Sequence, residues 1–304
     1  MAGVDLGGSY TRVLLADPAG VELASAARPT PRDDADEIVR LIVDLCRQLA
    51  DEAGIGWDRV GRIGLGVPGV ADRESGALHL APNLPPFDGV DLAGALREAL
   101  RVTVAIDNDV NAATLAEHRR GLGAGLDDFA FIAVGTGVGM GIVAGGRLQR
   151  GATGAAGEIA WLPLGGDPFS PANHVRGTLE EAAGGAAVAG RHAERTGADP
   201  TEPMDLFALA ATGDREAEAA LDHQARSLAL AVAAVQSVLD PALVVFGGGI
   251  GTRPELLAAI RAHLARLTHR PLEIEASSLG EQAGVLGAIE LARDTDPEPT
   301  EAER

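Results

Sequence analysis

Residues 104–117 read VAIDNDVNAATLAE. A short apolar run, suited to a buried strand, gives way to an Ala-rich stretch with helical periodicity. Between them stand four polar residues, Asp107, Asn108, Asp109 and Asn111. A strand end that opens into a helix N-terminus is where an α/β protein places ligand-contacting groups. One helix needs one capping residue, and Asp107 or Asn108 would suffice. The surplus suggests chemistry: Asp109 reads as a catalytic base and Asn108 as a substrate ligand.

The elements that must position these groups are strands, each followed by a glycine cluster. Gly7-Gly8-Ser9-Tyr10 separates strands predicted at 2–6 and 11–16. Gly135-Thr136-Gly137-Val138-Gly139 separates strands at 129–134 and 140–144, and Gly247-Gly248-Gly249 follows a strand at 242–246. Glycine allows positive φ and lets backbone N–H groups approach an anion closely. A dinucleotide-binding fold would need G-x-G-x-x-G opening a helix. The first two clusters open onto strands, and the third reads GGGIG. Phosphate binding is the better reading. VDLGGSYTRVLLA and AVGTGVGMGIVAG share the form strand, glycine turn, strand, which suggests two related halves facing each other across a cleft.

The remaining pattern alternates strands and helices, so the fold class is α/β. A strand at 21–27 would extend the first hairpin, and a helix is expected at 33–53, a strand at 62–67, a helix at 91–100 and a strand at 102–106. Residues 71–90 and 162–177 read as loops. Helices are expected at 178–189, 203–211, 214–239, 254–267 and 282–292, and a strand at 272–276. The Pro- and Glu-rich tail, 294–304, is expected to be disordered.

Composition excludes several classes. The 304 residues carry a net charge of −19, against a nucleic-acid partner. All 25 basic residues are arginine. A P-loop, a protein kinase and a Schiff-base enzyme each need a lysine the chain lacks. Cys46 is the single cysteine, so no intrachain disulfide or multi-cysteine zinc site can form. It falls on a helical apolar pattern and reads as a buried structural thiol. The N-terminus does not resemble a signal peptide, and the apolar run 228–239 is too short to span a membrane. The expected location is the cytoplasm, with no membrane partner.

Taken together and in order, these motifs resemble the ROK family (repressor, open reading frame, kinase), of the bacterial glucokinase type. Residues 5–12, DLGGSYTR, resemble its first phosphate motif, and residues 135–139 its second. Asp240-Pro241 through Gly247-Gly248-Gly249-Ile250 resembles its adenosine motif. Asn83-Leu84-Pro85, Asn108-Asp109 and Asn111-Ala112-Ala113 match the sugar side. The resemblance implies an actin-like ATPase fold of two ribonuclease-H-like domains around a cleft. One would be residues 1–107 plus about 283–304, the other 108–282. It implies ATP-dependent phosphorylation of a hexose hydroxyl, with glucose and its 6-hydroxyl expected first. Another sugar, a cyclitol, or a non-catalytic sugar-binding regulator are the alternatives.

The same resemblance assigns roles. Asp109 would be the base, and Gly69, Asn83, Asn108, Glu158, Glu180 and Trp161 would face the sugar. Gly7, Gly8, Ser9, Thr11, Arg12, Gly135, Thr136, Gly137, Gly247, Gly248 and Gly249 would bind ATP. Asp5 would bind ATP's Mg²⁺ through water. A homodimer or homotetramer is expected. The chain departs from the family where a zinc-binding histidine and three loop cysteines would stand. Trp161 occupies the histidine position and Thr178 that of the last cysteine, so no zinc is expected there. Trp161 would either pack against residues 163–176 or form a wall of the substrate pocket.

Overall fold

A computed structural model of the chain describes residues 1–31, 34–71, 78–79, 91–199 and 201–295. They fall into two compact units, one of residues 1–119, 150–155 and 282 onward, the other of residues 120–149 and 156–281.

The first unit is built on a five-stranded sheet in the order β3-β2-β1-β4-β7. Its strands are β1 (Ala2–Leu6), β2 (Tyr10–Ala16), β3 (Glu22–Pro29), β4 (Arg62–Val67) and β7 (Thr103–Asn108). A two-stranded ribbon, β5 (Val70–Ala71) with β6 (Leu78–His79), follows β4. β1, β2 and β3 form an antiparallel meander, whereas β1, β4 and β7 run parallel. Side chains alternate between the two faces, as strand geometry requires. Val4, Leu6, Val13, Leu15, Ile63 and Leu65 pack with α1 (Ala35–Glu52) and α2 (Leu92–Leu100). The opposite face meets α10 (Ala283–Asp294) and α3 (Asp109–Arg120). There β1 and β4 carry Gly3 and Gly64, because any side chain on either would strike the α10 backbone. Asp34 caps α1 and Asp91 caps α2, each accepting a backbone N–H from the first turn. Cys46 is buried inside α1, and its thiol is pushed up to about 12 by desolvation. The first unit takes in α3 to Arg119.

The second unit repeats the plan. Its sheet runs β10-β9-β8-β11-β12, from β8 (Phe129–Val134), β9 (Val138–Ala144), β10 (Arg147–Gln149), β11 (Leu243–Gly247) and β12 (Glu273–Ala276). Again the first three strands are antiparallel and the last two join in parallel. The internal likeness of the two hairpins is therefore a likeness of whole sheets. Ala130, Ile132, Val134, Val244 and Phe246 pack with α4 (Thr178–Ala183), α7 (Arg215–Leu239) and α9 (Pro254–Leu267). α5 (Gly185–Thr196) and α6 (Asp205–Ala211) form a smaller cluster on α7, and α8 (Gly248–Gly251) is a single turn after β11. The single helix expected at 178–189 is two. Gly184 is extended between α4 and α5, and a side chain there would crowd the carbonyls of Glu180 and Thr136. Arg191 closes the break by donating to the carbonyls of Glu181 and Ala182. No helix among the described residues is long and apolar enough to cross a membrane.

Candidate active site

In the first unit the polar groups gather at the carboxyl ends of the parallel strands. Asp5, Gly66 and Asp107 share one row of the sheet through consecutive registers. At about 4.8 Å per strand, the two acidic residues stand about 10 Å apart. Gly66, between them, leaves space that the Asp109 backbone and Ala112 occupy, with Asp109 Cα 3.6 Å from where a Cβ would lie. The start of α3 therefore lies over the middle strand, placing Asp109 at its first position.

The helix cap is Asn108. Its Oδ1 accepts from the backbone of Val110 at 2.9 Å and of Asn111 at 3.1 Å. Its Nδ2 donates to the Gly69 carbonyl at 2.8 Å. Asn108 and Gly69, both read as substrate ligands, are thus bonded to each other. Gly69 has φ 90, in the left-handed region that favours glycine. Asp107, a capping candidate in the sequence, lies beneath the cap and is 4% exposed. Its Oδ1 accepts from the Asn108 backbone and from Asn111 Nδ2, both at 2.9 Å. Its Oδ2 pairs with Arg150 Nε at 2.5 Å. Sequence reasoning missed Arg150; one cation ahead of a glycine-rich stretch carries no signal of its own.

Asp5 faces α10, where Gly284 leaves room for its carboxylate. Burial pushes its carboxyl up to about 6, opposed by the charge of Arg12 at 4.0 Å. The first turn is tied by Gly7 N–H donating to the Tyr10 carbonyl at 3.0 Å. Gly8 is half-buried beside it. Ser9 is exposed, and its carbonyl accepts the Thr30 N–H. Thr11 has a fully buried side chain, and its hydroxyl bonds that of Thr30 at 3.0 Å, which braces the turn. Thr30 also donates to the Gly7 carbonyl at 2.6 Å. Asn83 lies outside the described residues.

In the second unit two glycine clusters and two acids come together. The N–H groups of Gly185 and Ala186, opening α5, donate to the carbonyls of Gly135 at 2.9 Å and Thr136 at 3.2 Å. With those carbonyls engaged, Thr136 is exposed and Gly135 has open space where a side chain would be. Gly247 ends β11 against the Phe131 ring, and Gly248, with φ 77, lies against the Val134 carbonyl. Gly249 is exposed with open space around it. The third cluster thus abuts the start of the second.

Glu180, in the first turn of α4, reaches into that turn: its Oε2 accepts the Val138 N–H at 3.0 Å. It fills the space where a side chain on Gly137 would lie. Glu158 stands just before a 3₁₀ turn (Ile159–Trp161), set by Gly157, whose carbonyl accepts the Met140 N–H of β9 at 3.1 Å. Burial raises the carboxyls of both, and the charge of Glu180 raises Glu158 further. For Glu180 the Val138 bond and the Arg176 charge oppose the rise, while Glu181 adds to it. Arg176 grips Glu181 with two bonds, at 2.8 and 3.0 Å. Trp161 is 47% exposed, so about half of its ring is packed and half faces solvent.

A model of the ROK family matches residues 1–295. The chain belongs to the ROK family. Among curated ROK relatives, the glucokinase of Thermotoga maritima is 31% identical over 317 residues, covering 97% of each chain. The ROK hexokinase of Thermus thermophilus superposes with a TM-score of 0.80 at 33% identity, covering 96% of this chain and 97% of that one. The ROK glucokinase of Streptomyces griseus, solved with glucose and AMPPNP, gives 0.82 at 28% identity, covering 97% and 99%. The matched sheets are those of the actin-like ATPase fold, and these likenesses support a sugar kinase that uses ATP.

Proposed function

We propose that the chain transfers the γ-phosphoryl group of ATP to a hydroxyl of a hexose, the 6-hydroxyl of glucose first. The observation that carries this reading is Asp109 at the first position of α3, with Asn108 and Gly69 tied together beside it. Asp109 orients the sugar hydroxyl and accepts its proton late, as bonding to phosphorus makes that hydroxyl acidic. Glu158 and Glu180 read further hydroxyls, with Asn108, Gly69 and Asn83 as additional contacts. Backbone N–H groups of the turns at Gly7–Gly8 and 135–137 bind phosphate, with the hydroxyls of Ser9 and Thr136 and the charge of Arg12. Gly247, Gly248 and Gly249 lie against the adenosine.

Mg²⁺ fits Asp5. It accepts one carboxylate while keeping most of its waters, and a lone, mostly buried carboxyl held at about 6 gains from a nearby divalent cation. When bound, the ion would offset charge on the ATP phosphates. The protein acts in the cytoplasm as a homodimer or homotetramer.

A second reading, another hexose or a sugar-like cyclitol, is favoured by Trp161 at the family's histidine position. The test is ATP consumption over a panel of hexoses and cyclitols. Turnover with one substrate, abolished in Asp109→Asn, supports the kinase. Intact sugar binding with no turnover across the panel would leave a binding protein.

A further inference from the structure

Arg150 stands where the chain passes from the second unit back to the first. Residues 147–149 are β10 of the second sheet, whereas 150–155 pack with the first unit. At that point Arg150 Nε meets Asp107 Oδ2 at 2.5 Å, with the arginine side chain 25% and the aspartate 5% exposed. The aspartate then passes the contact on. Its other oxygen accepts from the Asn108 backbone and the Asn111 amide, and Asn108 caps the helix that begins with Asp109.

A carboxylate this deeply buried holds its charge only beside a cation or several donors. Here both kinds are present, and the donors are the residues that fix the start of α3. Without the guanidinium, the buried carboxylate of Asp107 would lose its cationic partner and turn toward water. The two bonds that set Asn108 and Asn111 would then weaken. Asp109, next in the chain after the cap, would lose its aim. Effective proximity falls steeply with displacements of about 1 Å, so the loss should appear in the chemical step.

We infer that Arg150 is a positioning residue for phosphoryl transfer: through Asp107 it sets the capped start of α3 and so the orientation of Asp109. The inference rests on the reading of Asp109 as the base. Arg150 acts through its partner, the aspartate beneath the cap.

The experiment is steady-state kinetics on the full chain, with the sugar that gives turnover, for Arg150→Ala, Arg150→Lys, Asp107→Asn, the Arg150→Ala/Asp107→Asn double variant and Asp109→Asn. Circular dichroism and melting temperature are followed in parallel. The expected result is a fall in kcat of about 10- to 100-fold in Arg150→Ala, with KM for sugar and ATP within about threefold. Arg150→Lys should recover part of the loss, as should guanidinium ion added to Arg150→Ala. The double variant should be no slower than the worse single, because both act through one contact. If Arg150→Ala does not fold, Arg150→Lys and Asp107→Asn carry the test, by the same split between kcat and KM. Full kcat in Arg150→Ala while Asp109→Asn is inactive overturns the inference alone. Multiplying losses in the double variant, or a lower kcat that tracks melting temperature with no guanidinium rescue, also overturns it. Full activity in Asp109→Asn overturns the base reading instead.

Discussion

The Glu180 carboxylate occupies the space that a side chain on Gly137 would need, while accepting the N–H of the next residue, Val138. A residue read as a sugar ligand therefore props a turn read as a phosphate ligand. The backbone at Gly137 lies outside the left-handed region, so alanine there is excluded by Glu180 and not by φ. Gly137→Ala should displace the carboxylate and lose a charge-assisted bond, costing about 1–3 kcal/mol in stability. It should also lower kcat/KM for ATP about tenfold, or ~1.4 kcal/mol. Unchanged ATP kinetics would mean that Glu180 does not set the turn.

Glu158 and Glu180 supply a pH dependence. Burial first, and for Glu158 then the charge of Glu180, raises their carboxyls above the usual range. With folded values raised, each contributes stability below the ordinary carboxylate pKa and loses it as pH rises through the raised one. As acceptors for sugar hydroxyls they must be ionised. Sugar KM should therefore climb on acidification at a higher pH than for free carboxylates. Glu180→Gln removes the neighbouring charge and should move the Glu158 limb to lower pH. A limb that stays in place in a KM–pH profile would separate the two acids.

Asp5 trades stability for function. Its value of about 6 lies above that of a free carboxylate. The ligand-free chain bears no penalty in acid, and the penalty grows as pH rises through about 6. In chelator at pH 8, Asp5→Asn should stabilise the fold by about 1–3 kcal/mol, and that gain should vanish near pH 4. Denaturant melts at both pH values check this. The same variant should lose phosphoryl transfer.

Trp161→His should change stability by less than about 0.5 kcal/mol, because the ring is half in solvent. It should shift sugar KM or the order of preferred sugars. A large fall in melting temperature with sugar KM unchanged would return the ring to a packing role.

Glycine turns at strand ends were legible because glycine there has a physical cause, and the two hairpins already carried the plan of both sheets. The strands Phe129–Val134 and Arg62–Val67 were readable to the residue, since a buried strand is a plain apolar run. What escaped depends on partners distant in sequence. Asn108 and Asp107 are both good caps by type; the Gly69 carbonyl and the Arg150 guanidinium decide which one caps. The bond between the Thr11 and Thr30 hydroxyls likewise joins residues too far apart in sequence to be foreseen. The break at Gly184 is set by carbonyls of the Gly135–Thr136 turn, nearly fifty residues upstream.

The way α10 is seated, with the backbone of β1 and β4 against it at Gly3 and Gly64, bears on the chain's synthesis. β1 (Ala2–Leu6) is made long before α10 (Ala283–Asp294). Until residues 283–294 emerge, α3 can cover only part of that face of the N-terminal sheet, and the part over Leu14 and Ala16 stays open. Val285 and Ile289, which pack against Leu14 and Ala16, arrive some 270 residues late. The nascent chain therefore spends most of translation with an open apolar surface, at elongation rates of about 5–20 residues per second. The second unit, from residue 120 to 281 apart from its 150–155 excursion, can close before the first. Folding order should run opposite to chain order, with the second unit closing first and the first unit completed only once α10 has been made.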